Sequence, residues 1–224
     1  MTKFILILQK YKYELLLIAL IQHLFIGIFL SDMECYRDII WPINMLVLGI
    51  ASTGVFIEKG KWKNRIRTIL FICVVALPIG IPFFGKTPYY FAILNSIYVG
   101  FYFFIFYEII KFLLKPSYIN ADIISASACG YFLLIEISVF LFQFFLTQDI
   151  NSFKGLNLQS NAETYMDLVY FSSITLTSIG FGDITPNSHY TKLLTSLFGI
   201  AGQFYTVVLV GILLSKFSSN SEIK

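Results

Sequence analysis

The chain has 224 residues, 57% of them hydrophobic and only 13% charged, with a mean hydropathy of +0.77 and a formal charge of +3. A soluble domain needs a far more charged surface, so the composition implies an integral membrane protein. Nothing in it resembles a basic patch interleaved with aromatics, which excludes nucleic acid as a partner.

The apolar runs of roughly 17 to 27 residues are long enough to cross a hydrocarbon core, and they lack the alternation of barrel strands. They predict six membrane helices, at about 12–30, 39–57, 67–84, 89–114, 122–147 and 190–217. No small-residue cleavage site follows Leu30, so the first is expected to be retained. Between the fifth and sixth lies a polar stretch, TQDINSFKGLNLQSNAE, and then an apolar segment from Tyr165 to Leu176. That segment is too short to span and should dip into the membrane and return.

Basic residues set the topology. Lys3, Lys10 and Lys12 precede the first helix, Lys59, Lys61, Lys63, Arg65 and Arg67 follow the second, Lys111 and Lys115 close the fourth, and Lys216 and Lys224 close the sixth. All fall on one side, opposite Asp32, Glu34 and Asp38, so both termini are expected in the cytoplasm. Few residues follow Phe217, and no cytoplasmic ligand-binding domain is expected on this chain. Cys35, Cys73 and Cys129 suggest ordinary thiols without a disulfide framework.

After the short helix comes TSIGFGDITP, Thr177 to Pro186. Irregular backbone at membrane depth must be buried in protein or line a watery cavity, because unpaired amides are too costly in lipid. Alternating glycines reach backbone angles other residues resist, letting successive carbonyls point one way and replace a cation's hydration shell. The Ser178 hydroxyl can join the innermost ring of oxygens, with Ile179 and Phe181 facing outward to pack. Thr164 and Asp167 have capping-box spacing, which predicts a helix start at Tyr165 and a negative helix end near Thr177.

These residues resemble the tetrameric potassium channels. The family's filter pattern is T-V-G-Y-G-D, and Ser178, Ile179, Gly180, Phe181, Gly182 and Asp183 stand in register with it. The likeness runs from TYMDLVYFSSITLTSIGFGD into the last helix, over roughly the final 100 residues. It implies an all-α membrane protein with a re-entrant pore helix and a selectivity-filter loop, assembled as a homotetramer. Residues 1–117 would form a four-helix domain and 118–224 the pore domain. Thr177 to Gly182 would bind ions, with potassium at Ser178, Ile179, Gly180 and Phe181. Tyr170, Phe171 and Asp183 would support the filter, and Gly202 matches the glycine at which the inner helix bends. Serine and phenylalanine at Ser178 and Phe181 also occur in potassium-selective relatives of the ether-à-go-go type. Phe171 cannot donate the hydrogen bond that often anchors the filter aspartate, and Ile174 replaces a carboxylate found in some relatives.

Voltage sensors of this family carry arginines every third residue on the fourth helix, each worth about 2.3 kcal/mol per 100 mV. Here that helix has none, and its Lys111 stands three residues from Glu108, where a local pair is expected. Glu136, at mid-membrane, calls for a hydrogen-bond partner on a neighbouring or pore helix. Gln22, His23 and Asn95 read as interhelical glue. The aromatic residues read as mostly lipid-facing, with Trp41 and Trp62 in opposite interfacial belts. Ile212 to Phe217 would sit at the cytoplasmic mouth, where apolar rings close a pore by dewetting.

The expectation is a passive potassium-selective channel of the plasma membrane. It needs no cofactor beyond K⁺ as permeant ion, has itself and membrane lipids as partners, and leaves room for a separate regulatory subunit. A weakly selective cation channel is the nearest competitor. A transporter would show a second broken helix in an inverted repeat. An enzyme would show a cluster of nucleophile, base or metal ligands.

Overall fold

The computed structural model describes residues 3–30, 32–56, 61–85, 87, 89–115 and 120–221. Lys59, Lys224 and the expected domain boundary at 117–118 lie outside them. Helix α1 (Lys3–Lys10) precedes α2 (Lys12–Phe25), which a 3-10 turn extends over Ile26–Phe29. A short α3 (Met33–Cys35) runs through a π turn, Tyr36–Ile40, into α4 (Trp41–Phe56). Then come α5 (Lys61–Phe84), α6 (Tyr90–Leu113), α7 (Ala121–Gln148), the shorter α8 (Asn161–Leu176) and α9 (His189–Ser221).

Among the described residues six helical segments are long and apolar enough to cross a membrane: Lys12–Phe29, Met33–Phe56, Trp62–Ile81, Tyr90–Leu113, Ala121–Gln148 and His189–Leu213. They coincide with the six expected spans. Their ends are set by chemistry that hydropathy does not register. The Asp32 carboxylate accepts from the backbone N–H groups of Glu34 and Cys35, starting the second span six residues earlier than its apolar run suggests. Asn120 caps α7 in the same way, accepting from the Ile123 N–H.

Helix α7 is the hub, packing on α6, α2, α8 and α9, whereas α5 touches only α4 and α6 to any extent. The centre is aromatic, formed by a minority of rings that the expectation of lipid-facing and interfacial packing did not single out. Tyr36, Tyr98, Tyr102, Tyr165 and Phe140 are all essentially buried. Trp41, expected at an interface, is buried with them, 5.0 Å from the Tyr165 ring, while Trp62 is 73% exposed as a belt residue should be. The π turn makes this possible. The Trp41 N–H bonds the Tyr36 carbonyl five residues back, which brings both rings onto one face, 6.2 Å apart.

Inside this aromatic shell sits the one carboxylate of α7's middle. Glu136 Oε1 lies 2.8 Å from His23 Nδ1, and the same nitrogen lies 2.9 Å from the Tyr165 hydroxyl. All three side chains are buried. The expected hydrogen-bond role of Glu136 is met by a partner on α2 that also touches α8. Gln22, one residue away, donates to Asn44 on α4 at 3.0 Å, as interhelical glue. The expected Glu108–Lys111 pair is not formed. Buried Glu108 accepts from Lys63 on α5, and Lys111 instead lies over the Tyr107 ring, 5.7 Å from its centre. Packing turned Glu108 inward toward α5, and spacing within one helix could not reveal that.

Breaking a buried ionisable pair by removing one partner costs about 3–5 kcal/mol, whereas replacing both by apolar groups is often neutral. His23→Leu and Glu136→Leu should therefore each lower the thermal unfolding midpoint in detergent. The double variant should recover most of the loss.

Candidate functional site

Helix α8 enters the fold on a cap that differs from the expected one. Ser160, not Thr164, is the N-cap: its hydroxyl accepts from the Glu163 N–H at 3.2 Å and approaches the Glu163 carboxylate at 3.1 Å. The helix accordingly starts at Asn161, four residues before Tyr165. The S-x-x-E signature is present in the sequence at Ser160–Glu163. Thr164 and Asp167 hold the preceding loop instead, Thr164 donating to the carbonyls of Asn157 and Ser160 and Asp167 accepting from the Asn157 N–H.

At its other end α8 closes on Thr177, whose N–H and hydroxyl both bond the Ser173 carbonyl. The chain then changes character. Ser178, Gly180 and Gly182 have φ of 60°, 55° and 82°, with ordinary φ at Ile179 and Phe181 between them. Left-handed and right-handed residues alternate for five positions, which only glycine adopts without cost and which strains Ser178. The Ile174 carbonyl accepts from both Ile179 N–H (2.9 Å) and Gly180 N–H (3.2 Å). These two amides are drawn toward α8.

The structure brings Thr177 through Asp183 into one loop braced by α8. Asp183 is held by Tyr170, whose hydroxyl donates to Oδ2 at 2.7 Å. The donor that Phe171 cannot supply therefore comes from the residue before it. Phe171 points elsewhere, into a buried group with Phe142 and Phe153, at 5.5 Å from each ring. The Tyr170 ring lies parallel to that of Phe181, 3° apart in plane at 6.5 Å. Ile179 and Phe181 are 57% and 69% exposed on the single chain. The Tyr170 hydrogen bond holds the Asp183 carboxyl below the usual aspartate range and raises the Tyr170 phenol in turn.

Several contributors leave no plain signal in the sequence. Residues Phe153–Lys154 (β1) pair antiparallel with Thr185–Pro186 (β2), Phe153 opposite Pro186 and Lys154 opposite Thr185. Next to β1, Gly155 has φ 87°, and a Cβ there would stand 2.2 Å from the Asp183 carbonyl oxygen. The polar stretch is thus stapled to the far end of the loop. Gly202 lies in the unbroken α9, where a Cβ would stand 2.6 Å from the Leu176 carbonyl, so it permits close approach of α9 to the end of α8. Gln203, beside it, donates to the Ser178 hydroxyl at 2.8 Å. Among the described residues no group of three or more His, Cys, Asp or Glu could hold a metal ion.

Residues 129–219, from the middle of α7 to the end of α9, match the family described as ion channel. Three curated relatives overlap the chain. Two-pore potassium channel 1 of Arabidopsis thaliana is 43% identical over 51 residues, 23% of this chain. Two pore potassium channel a of Oryza sativa subsp. japonica is 32% identical over 81 residues, 36% of this chain. Potassium voltage-gated channel subfamily KQT member 3 of Rattus norvegicus is 31% identical over 96 residues, 42% of this chain. The chain spans only 13%, 22% and 11% of these relatives' own lengths. No solved structure gives a significant match. The C-terminal part of the chain is thus similar to an ion-channel family, and these relatives are named as potassium channels.

An aspartate whose carboxyl is depressed by a hydrogen bond keeps that bond above its ordinary pKa and loses it as pH falls through the lowered value. Tyr170→Phe should therefore move the Asp183 carboxyl titration upward, toward the usual aspartate value. Carbon NMR of protein labelled at Asp would follow the midpoint, and an unchanged midpoint would separate Asp183 from Tyr170.

Proposed function

We propose that four copies of this chain surround one axis and conduct potassium passively through a filter made of residues 177–182, with residues 118–224 as pore domain and 1–117 as a four-helix domain around it. The observation that carries the reading is the left-handed backbone at Ser178, Gly180 and Gly182 with the Ile179 and Gly180 amides turned back to Ile174. Such a strand offers a row of carbonyls, and rings of carbonyls from several copies can replace a cation's hydration shell. The exposed side chains agree with assembly. Leu193, Leu197, Ile200, Phe204 and Val207 repeat at alternating spacings of four and three along α9, an uncovered apolar stripe that neighbouring copies would cover or that would line a central cavity. Ile179 and Phe181 would likewise find their packing across subunits. The C-terminal end of α8, with its partial negative charge, points at the loop and favours a cation there.

In this reading both termini are cytoplasmic, the channel is a multi-pass protein of the plasma membrane, and Gly202 is where α9 would bend, releasing its contact with Leu176. Names of the relatives agree on potassium.

Purified protein in liposomes should support potassium efflux, with reversal potentials following the potassium gradient when sodium is opposed to it. Gly180→Ala forces a side chain into the left-handed region at about 1–2 kcal/mol per subunit and should abolish most of the flux. Flux that is equal in wild type and variant would remove the filter from this loop.

The second expectation concerns voltage. No arginine lies on α6, and its buried Glu108 is paired with Lys63 of α5. Conductance in planar bilayers should accordingly change by less than about fiftyfold over 100 mV, the factor that one elementary charge crossing the whole field would give at about 2.3 kcal/mol. A steep sigmoidal curve would contradict it.

A further inference from the structure

Ser178 is both strained and unbranched. Its φ of 60° places a non-glycine residue in the left-handed region, and its N–H is held by the Thr175 carbonyl at 3.0 Å. The backbone is thereby fixed, but the hydroxyl is not: a serine side chain has no second substituent on Cβ to restrict χ1, as a threonine has. A hydroxyl free to turn among three staggered positions would be an inconstant ligand. The structure supplies a restraint from another helix. Gln203 Nε2 donates to Ser178 Oγ at 2.8 Å, across 25 residues of sequence.

The surroundings make this contact unusual. Ser178 and Gln203 line one concave surface with Gly199, Ile200, Phe204 and Val207, an otherwise largely apolar wall of α9. Gln203 is exposed on the single chain, and the Ser178 hydroxyl is the partner its amide meets there. After accepting from Gln203 the Ser178 oxygen keeps one lone pair, and the hydroxyl keeps its own proton. The lone pair is what a dehydrated cation needs. The position of Gln203 also matters, one residue beyond Gly202, whose missing side chain lets α9 come close enough to the end of α8 for the amide to reach.

We infer that Gln203 is a positioning residue for the innermost ion site: by donating to the Ser178 hydroxyl it holds that oxygen's free lone pair toward the ion path, a restraint that the unbranched side chain lacks by itself. The inference rests on the reading of residues 177–182 as the ion path. It goes beyond that reading by placing a determinant of ion affinity on the inner helix.

Barium, a divalent cation close to potassium in size, is the probe, since it depends more heavily on each oxygen that replaces its water. Full-length protein in liposomes would be assayed for potassium efflux with barium present on both faces. Gln203→Leu should raise the barium concentration that halves efflux by at least about tenfold, because four hydroxyls lose a hydrogen bond at once. Ser178→Ala should raise it to a similar extent, and adding Gln203→Leu to Ser178→Ala should change it by less than about threefold further, because the glutamine then has no hydroxyl to hold. A merely structural loss from Gln203→Leu would add to that of Ser178→Ala. If Gln203→Leu does not fold, Gln203→Asn, one methylene too short to reach, carries the same test. Barium sensitivity in the Gln203→Leu variant within about twofold of wild type, or full additivity of Gln203→Leu and Ser178→Ala, overturns the inference while wild-type efflux leaves the ion-path reading standing. Wild-type protein without potassium efflux overturns both.

Discussion

A single carbonyl oxygen orders the candidate site. Ile174 O accepts the N–H groups of Ile179 and Gly180 at once, so the first amides beyond the end of α8 are consumed by the helix they leave. Backbone at membrane depth cannot keep unpaired N–H groups, and the helix end has carbonyls to spare. These donors of the loop are thereby turned back toward the helix. The residues beyond Ile179 have only to keep the alternation going, and glycine at 180 and 182 does so without strain. The remaining contacts are braces on this arrangement. Tyr170 fixes the far end through Asp183, Gly155 lets the strand pair approach, and Gly202 lets α9 close over the end of α8.

The first four spans meet this unit through α7. Its middle carries Glu136, and the partner is His23 on α2, whose ring also meets Tyr165 on α8. Three helices from distant parts of the chain therefore share one imidazole nitrogen. Around it the rings of Tyr36, Trp41, Tyr98, Tyr102 and Phe140 exclude water and fill volume. Polar groups so enclosed cost more than apolar packing would, and what they add is a fixed register: α2, α7 and α8 cannot slide against one another without separating hydrogen-bonded groups.

Legibility in the sequence tracks the range of the interaction. All six spans are readable because a run of apolar residues is a local property. The loop is readable because left-handed backbone leaves glycines behind. Errors arise where two local signals compete, as at the start of α8, where Ser160–Glu163 and Thr164–Asp167 both have capping spacing and the upstream pair forms the cap. Partners cannot be read at all when they lie far apart. Glu136 finds His23 across 113 residues, and Glu108 finds Lys63 across 45. The chemistry of Trp41 suits an interface, yet the residue is buried by a turn geometry that has no residue signature.

That turn has a consequence for how the second span tolerates change. A π turn holds one residue more than the α-helix around it, so the segments on either side are out of phase by about 100°. Tyr36 and Trp41 reach the same aromatic cluster only because of that offset. Deleting one residue between them would let the helix relax to uniform winding with Tyr36 four residues from Trp41, still on the same face. Uniform α winding at unchanged length would instead turn Tyr36 about 100° away from the cluster, so loss of a single codon there is better tolerated than a substitution that straightens the turn.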